Sequence, residues 1–177
     1  MSNKMEIRLA GSGGQGVILA TIILAEAAIE AGKNTAQSQS YGPEARGGMC
    51  KAEVIIDDDP IGFTKVTEPT FLMALTQQSL DKYAKTINRE CLILVDSSLK
   101  VPEYLEVKKV TKAPILATAV EKVGKAFTAN IVAVGAINKL LNLVTEEQLK
   151  TAVLGHVPKG TEAINEKALQ EGAALIK

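Results

Sequence analysis

The chain has 177 residues, with 20 basic and 20 acidic side chains and a formal net charge of zero. That balance gives no electrostatic reason to hold nucleic acid or an anionic membrane surface, and with 3% aromatic residues and no tryptophan a base-stacking platform is excluded. The 46% hydrophobic content supports a sizeable core, so residues 1–177 are expected to form a single globular domain.

The first residues lack the basic and apolar regions of a secretory signal, since Glu6 and Arg8 interrupt them. Residues 5–10 form an apolar run and read as a first strand. Gly11-Ser12-Gly13-Gly14-Gln15-Gly16 follows, and then a helix over residues 16–31 that ends at Gly32. This helix is apolar on most sides, with Glu26 and Glu30 its only charges, so it needs a second contact besides the sheet, another subunit among the choices. Residues 35–38 read as a short polar strand. Residues 39–48, Gln-Ser-Tyr-Gly-Pro-Glu-Ala-Arg-Gly-Gly, are rich in turn formers and read as a loop. Residues 49–56 alternate and read as a strand with one face inward. Asp57-Asp58-Asp59-Pro60 is a solvated turn in preference to a metal site.

Further on, residues 71–75 read as a buried strand and residues 77–84 as a helix. Residues 91–95, Cys-Leu-Ile-Leu-Val, have the continuous apolar pattern of a parallel strand covered on both faces. Asp96-Ser97-Ser98 would sit at its C-terminal end, where open α/β sheets place ligands. Residues 105–110 read as the last strand. Helices are expected over residues 114–123, 128–143, 145–154 and 161–176, with Thr145 to Gln148 approximating a capping box. The segment 126–144 contains Asn130, Asn138, Lys139 and Asn142, so it is a buried or interface helix and not a membrane span. The alternation predicts an α/β fold: a Rossmann-like open sheet, mostly parallel, with helices on both faces.

Gly11, Gly13 and Gly16 fit Gly-x-Gly-x-x-Gly between a strand and a helix. In that setting missing Cβ atoms allow a sharp turn and let an anion approach the free N–H groups of the helix start. A dinucleotide site would also need an acid near the end of the second strand, and Asn34-Thr35-Ala36-Gln37-Ser38 has none. No Gly-Lys-Ser/Thr follows the loop, which argues against a nucleotide-dependent kinase. His156 is the only histidine and is expected at a helix end. Cys50 and Cys91 are expected to be buried and inert, in a reducing cytoplasm, with no metal site and no catalytic residue in this chain. The second loop offers Ser40, Tyr41, Arg46, Gly47 and Gly48. If the sheet is doubly wound, that loop leaves strand two beside the glycine loop, and the two could bracket a pyrophosphate. The competing reading is a packing turn and a subunit contact.

Gly11-Ser12-Gly13-Gly14-Gln15-Gly16, followed by Ser40-Tyr41-Gly42-Pro43-Glu44-Ala45-Arg46-Gly47-Gly48, resembles the gamma subunit of 2-oxoacid:ferredoxin oxidoreductases, of the 2-oxoglutarate or branched-chain 2-oxoacid type. The likeness spans nearly the whole chain. It implies a subunit of an enzyme that oxidatively decarboxylates a 2-oxoacid to an acyl-coenzyme A. Thiamine diphosphate and iron–sulfur clusters would lie on the alpha, beta and delta (ferredoxin-like) partners, with ferredoxin as electron acceptor. Coenzyme A is the implied shared ligand, and Gly11, Ser12, Gly13, Gly14, Gln15, Gly16, Ser40, Tyr41, Arg46, Gly47 and Gly48 are its implied binding residues. A purely structural assembly subunit and a stand-alone nucleotide-binding oxidoreductase are the alternatives, and a homodimer of the isolated chain is left open.

Overall fold

A computed structural model of the chain describes residues 4–41, 48–107 and 109–177. Six strands, β1 (Met5–Ser12), β2 (Asn34–Tyr41), β3 (Met49–Asp57), β4 (Phe71–Ala74), β5 (Leu92–Asp96) and β6 (Lys109–Ala113), form one sheet. Their order across it is β2-β3-β1-β4-β5-β6. β1, β4, β5 and β6 are mutually parallel, and β3 runs antiparallel to both of its neighbours. The helices are α1 (Val17–Glu30), α2 (Gln77–Tyr83), α3 (Ile115–Thr118), α4 (Ala129–Leu141), α5 (Glu146–His156) and α6 (Glu162–Ala174).

Strand alternation divides the apolar side chains between two cores. Ile7, Leu9, Val54, Phe71, Met73 and Leu94 pack on the face covered by α1 and α4. Leu72, Ala74, Ile93 and Val95 point the other way and meet Leu80 of α2. Helices therefore lie on both faces, as the strand–helix alternation requires. α4 is buried at every position from Ala129 to Asn138, in keeping with the expectation of a buried or interface helix over residues 126–144. The Asn138 amide is satisfied locally: it donates to the Val144 carbonyl at 3.0 Å and accepts from the Val144 N–H at 3.1 Å. Among the described residues, no helix is long and apolar enough to cross a membrane.

Several element bounds differ from the sequence expectation. β2 runs to Tyr41, so Gln39, Ser40 and Tyr41 are strand residues opposite Ala52, Lys51 and Cys50, not loop. A strand on the sheet edge buries little, so its polar composition concealed its length. The last strand starts at Lys109, because pairing with Leu92 begins there, while Leu105 and Val107 pack on the α2-side core without joining the ladder. α5 extends through Gly155 to His156, and its start is a full capping box between Thr145 and Gln148.

Two close contacts set the helix layer and the register. A Cβ added at Gly135 would overlap the Leu169 carbonyl, and one at Gly172 would overlap the Val132 carbonyl, so α4 and α6 touch backbone to backbone. On the opposite face of the sheet, Arg8 and Glu53 sit directly across β1 and β3, each only 6% exposed. Arg8 Nε donates to Glu53 Oε1 at 2.6 Å and Nη1 to Thr86 Oγ1 at 3.0 Å, with the Tyr83 ring centroid 5.5 Å from the guanidinium. Lys51 Nζ lies 3.1 Å from the same Glu53 oxygen.

Gly172→Ala should lower stability by about 3 kcal/mol, because the methyl group meets backbone that cannot rotate away. A urea midpoint measurement checks this. Glu53→Ala should cost about 3–5 kcal/mol by leaving Arg8 charged in a dry site, and the paired Arg8→Met, Glu53→Leu change should recover most of that loss in the same denaturation assay.

Candidate functional site

β1 delivers the chain to the C-terminal edge of the sheet, where Gly11 and Ser12 end the strand and Gly13 to Gly16 turn it into α1. Gly14 has φ 91° and Gly16 φ 71°, conformations that glycine adopts without penalty. Gly16 is also required sterically, since a Cβ there would lie 2.5 Å from Nδ2 of Asn130. Gln15 folds back over the turn, and its Oε1 accepts the Ser12 N–H at 2.8 Å. Gly11 leaves the space for that side chain: an added Cβ would lie 2.5 Å from Gln15 Oε1.

No side chain caps α1. Its first-turn N–H groups at Val17, Ile18 and Leu19 lie outside the helical ladder, which begins with Ala20 donating to the Gly16 carbonyl at 3.0 Å. Gly13 and Gly14 are exposed beside them. The helix start therefore presents backbone donors and the positive end of the helix dipole at an accessible edge.

The second predicted segment arrives at the same edge. Tyr41 on β2 is opposite Cys50 of β3, which is opposite Gly11 of β1. Two strand spacings separate Gly11 and Tyr41, about 10 Å. Gly48 closes the arrangement, its carbonyl accepting the Gly13 N–H at 2.9 Å. The structure thus brings together Gly11, Ser12, Gly13, Gly14, Gln15, Gly16 and Gly48, with the ends of β2 at Ser40 and Tyr41 nearby. Arg46 and Gly47 lie outside the described residues.

The edge is also the topological switch point of the sheet. β1 feeds α1 on one face and β4 feeds α2 on the other, while β1 and β4 are parallel neighbours. Ligands of open α/β sheets bind in the crevice that such a divergence opens.

Residues 6–175 match the family model described as pyruvate ferredoxin/flavodoxin oxidoreductase. The chain belongs to this family. It is 45% identical over 177 residues to the 2-oxoglutarate synthase subunit KorC of Methanocaldococcus jannaschii, covering 98% of this chain and 95% of that one. Among solved structures, the keto/oxoacid ferredoxin oxidoreductase gamma subunit from Geobacter sulfurreducens superposes with a TM-score of 0.83 at 46% identity, covering 95% of both chains. The 2-oxoglutarate:ferredoxin oxidoreductase from Magnetococcus marinus, solved with 2-oxoglutarate, coenzyme A and succinyl-CoA bound, has the same fold in 31% of its chain, with a TM-score of 0.86 at 22% identity. The chain is accordingly a subunit of a 2-oxoacid:ferredoxin oxidoreductase.

Two residues at this family's glycine loop escaped the sequence reading. Ser79, in the first turn of α2, donates from Oγ to the Gly11 carbonyl at 3.1 Å and is fully buried. It is aligned by Thr76, whose hydroxyl donates to Ser79 Oγ at 2.8 Å and accepts the Ser79 N–H at 3.3 Å. The helix-capping spacing from Thr76 to Ser79, directly after a buried strand, is the signal that was available. Asn130 left no comparable signal, because it meets the loop from 114 residues away. By contrast, Asp96 turns inward at the end of β5. Its carboxylate accepts from Ser98 N and Oγ at 3.0 and 2.6 Å and from Leu116 N at 2.8 Å, so it builds the turn and the start of α3. His156 closes α5 with Nε2 placed 2.7 Å from Glu26 Oε2.

Both cysteines are buried and free. Burial pushes the Cys91 thiol up to about 11, opposed in part by the charge of Arg8 and a backbone hydrogen bond from Leu72. Burial raises the Cys50 thiol as well. A raised thiol is protonated, and unreactive, until the pH passes its shifted value. Iodoacetamide at about pH 8 should leave both unmodified in the native protein and alkylate both in denaturant, with mass spectrometry as the readout.

Proposed function

We propose that this subunit holds coenzyme A for a 2-oxoglutarate:ferredoxin oxidoreductase, forming a succinyl thioester with partner subunits. The observation that carries the reading is the uncapped start of α1 at the switch point, hydrogen-bonded through Gly13 to the base of the Ser40–Gly48 segment. The name of the Methanocaldococcus relative supports 2-oxoglutarate as the oxoacid.

The residues present fit an anionic group. Gly14 has open space where a Cβ would stand, and α1, which begins three residues later at Val17, has no side-chain cap on its first-turn N–H groups. These groups would hold the pyrophosphate of coenzyme A, with Arg46 and Gly47 of the second loop as the further residues that the family resemblance implies. A guanidinium adds paired donors that a backbone turn lacks. With the nucleotide end fixed, the pantetheine arm is free to extend toward the partners. The chain's own contribution is positioning, which converts an encounter with the thiol into a step within the complex. Thiamine diphosphate on the partners would supply the decarboxylating chemistry, and their iron–sulfur clusters and ferredoxin would receive the electrons.

Removing a guanidinium from a phosphate costs about 1.5–3 kcal/mol, so Arg46→Ala in the purified complex should raise the KM for coenzyme A about tenfold to a hundredfold. The kcat at saturating coenzyme A should stay within about twofold, because binding lost equally from ground and transition states leaves turnover intact. An unchanged KM for coenzyme A with reduced turnover of the oxoacid would instead support a purely structural subunit.

A further inference from the structure

We infer that Asn130 is a positioning residue for coenzyme A binding, acting through the backbone of Gly16; the inference rests on the coenzyme A reading above. Asn130 stands in the first turn of α4 and is 6% exposed. Its Oδ1 accepts the N–H of Ile131 at 3.0 Å, which leaves Nδ2 to face the glycine turn. Nδ2 donates to the Gly16 carbonyl at 3.4 Å. The absence of a Cβ at Gly16 is what admits the amide, since Nδ2, Cγ and Cβ of Asn130 would all lie within 3.0 Å of one.

The contact does something that an ordinary cap cannot. A serine, threonine or aspartate at position 16 would fix the helix start by accepting an N–H of the first turn, and so would consume a donor. α2 and α5 of this chain are fixed in that way, by Thr76 and Thr145. α1 is held at the Gly16 carbonyl by a residue of another helix, and no side chain caps its first turn. Ser79 holds the Gly11 carbonyl at the other end of the turn, so the loop is clamped from α2 on one face of the sheet and from α4 on the other. α4 is itself a firm support, because Gly135 seats it against the backbone of α6. Without the Asn130 amide, the Gly16 carbonyl keeps the Ala20 N–H but loses its only side-chain tether among the described residues, and the turn that carries the start of α1 is held less firmly.

The test is made on the complete complex, purified with Asn130→Ala and, in parallel, with Arg46→Ala. The KM for coenzyme A, the KM for the oxoacid, kcat and the thermal midpoint are measured for each. Asn130→Ala should raise the KM for coenzyme A about tenfold while the KM for the oxoacid and kcat at saturation stay within about twofold. Asn130→Leu keeps about the same side-chain volume and removes the donor without adding a charge, so it should give the same selective shift and serves if the alanine variant does not assemble. If Arg46→Ala raises the KM for coenzyme A and neither Asn130 variant does, the positioning role is wrong and the coenzyme A reading stands. If no variant raises it, both fall. If the Asn130 variants instead lower kcat and raise both KM values in step with the lost thermal midpoint, Asn130 is structural only and the inference is overturned.

Discussion

The cross-strand pairing of Arg8 with Glu53 is the constraint on which the functional edge depends. β3 enters the sheet between β1 and β2 and runs against both, so its register decides which residues of the two loops become neighbours. A slip of one residue would turn Glu53 toward Ile7 and Leu9 under α1, exchanging a buried ion pair for an unpaired charge in an apolar core. With the register held, Ser12 falls opposite Met49 and Tyr41 opposite Cys50. The strand ends then align, and the glycine turn and the β2–β3 connection leave from one row. The pair contributes little favourable energy compared with an apolar replacement, but a wrong register is costly, and that difference is what specifies the sheet.

The helix layer extends this alignment into depth. α4 is enclosed on every side, and its position follows from two kinds of contact. At Gly135, and at Gly172 across from it, the helix axis approaches α6 as closely as backbone allows. At Asn130 its first turn meets the Gly16 carbonyl. A helix seated by backbone contact has little freedom to translate, so the amide it carries is a rigid support for the turn above it.

Much of this was legible in the residues. The order of strands and helices, the buried helix near Asn130, the glycine turn and its likeness to a known subunit all follow from periodicity and motif. The antiparallel insertion of β3 was not legible, because alternation reports which face a strand buries and not the direction of its neighbours. The length of β2 was hidden by the polar residues that an edge strand tolerates. Arg8 and Glu53 each read as an interruption or a solvated position, since the partner that makes burial affordable lies 45 residues away. Asn130 was concealed for the same reason: it contacts a backbone atom of a distant turn, which leaves no trace in the pattern of side chains, whereas Ser79 was signalled only by its capping spacing from Thr76.

The distribution of hydrogen bonds around the turn has a direction. The carbonyls of Gly11 and Gly16 are taken by Ser79 and Asn130, and the N–H groups of Ser12 and Gly13 by Gln15 and the Gly48 carbonyl. The fold therefore satisfies the strand side of the turn and its carbonyls with its own atoms. The first turn of α1, where the peptide dipoles add, carries no side-chain cap. A capping side chain is worth only roughly a few tenths of a kcal/mol over glycine at a helix start, and at position 16 the φ of 71° and the Asn130 amide exclude one. Glycine there takes the left-handed φ and admits the Asn130 amide, and no side chain caps the helix. An anion held at this helix start in the working complex would add to the stability of the folded subunit, because it would bind the folded state and not the unfolded chain.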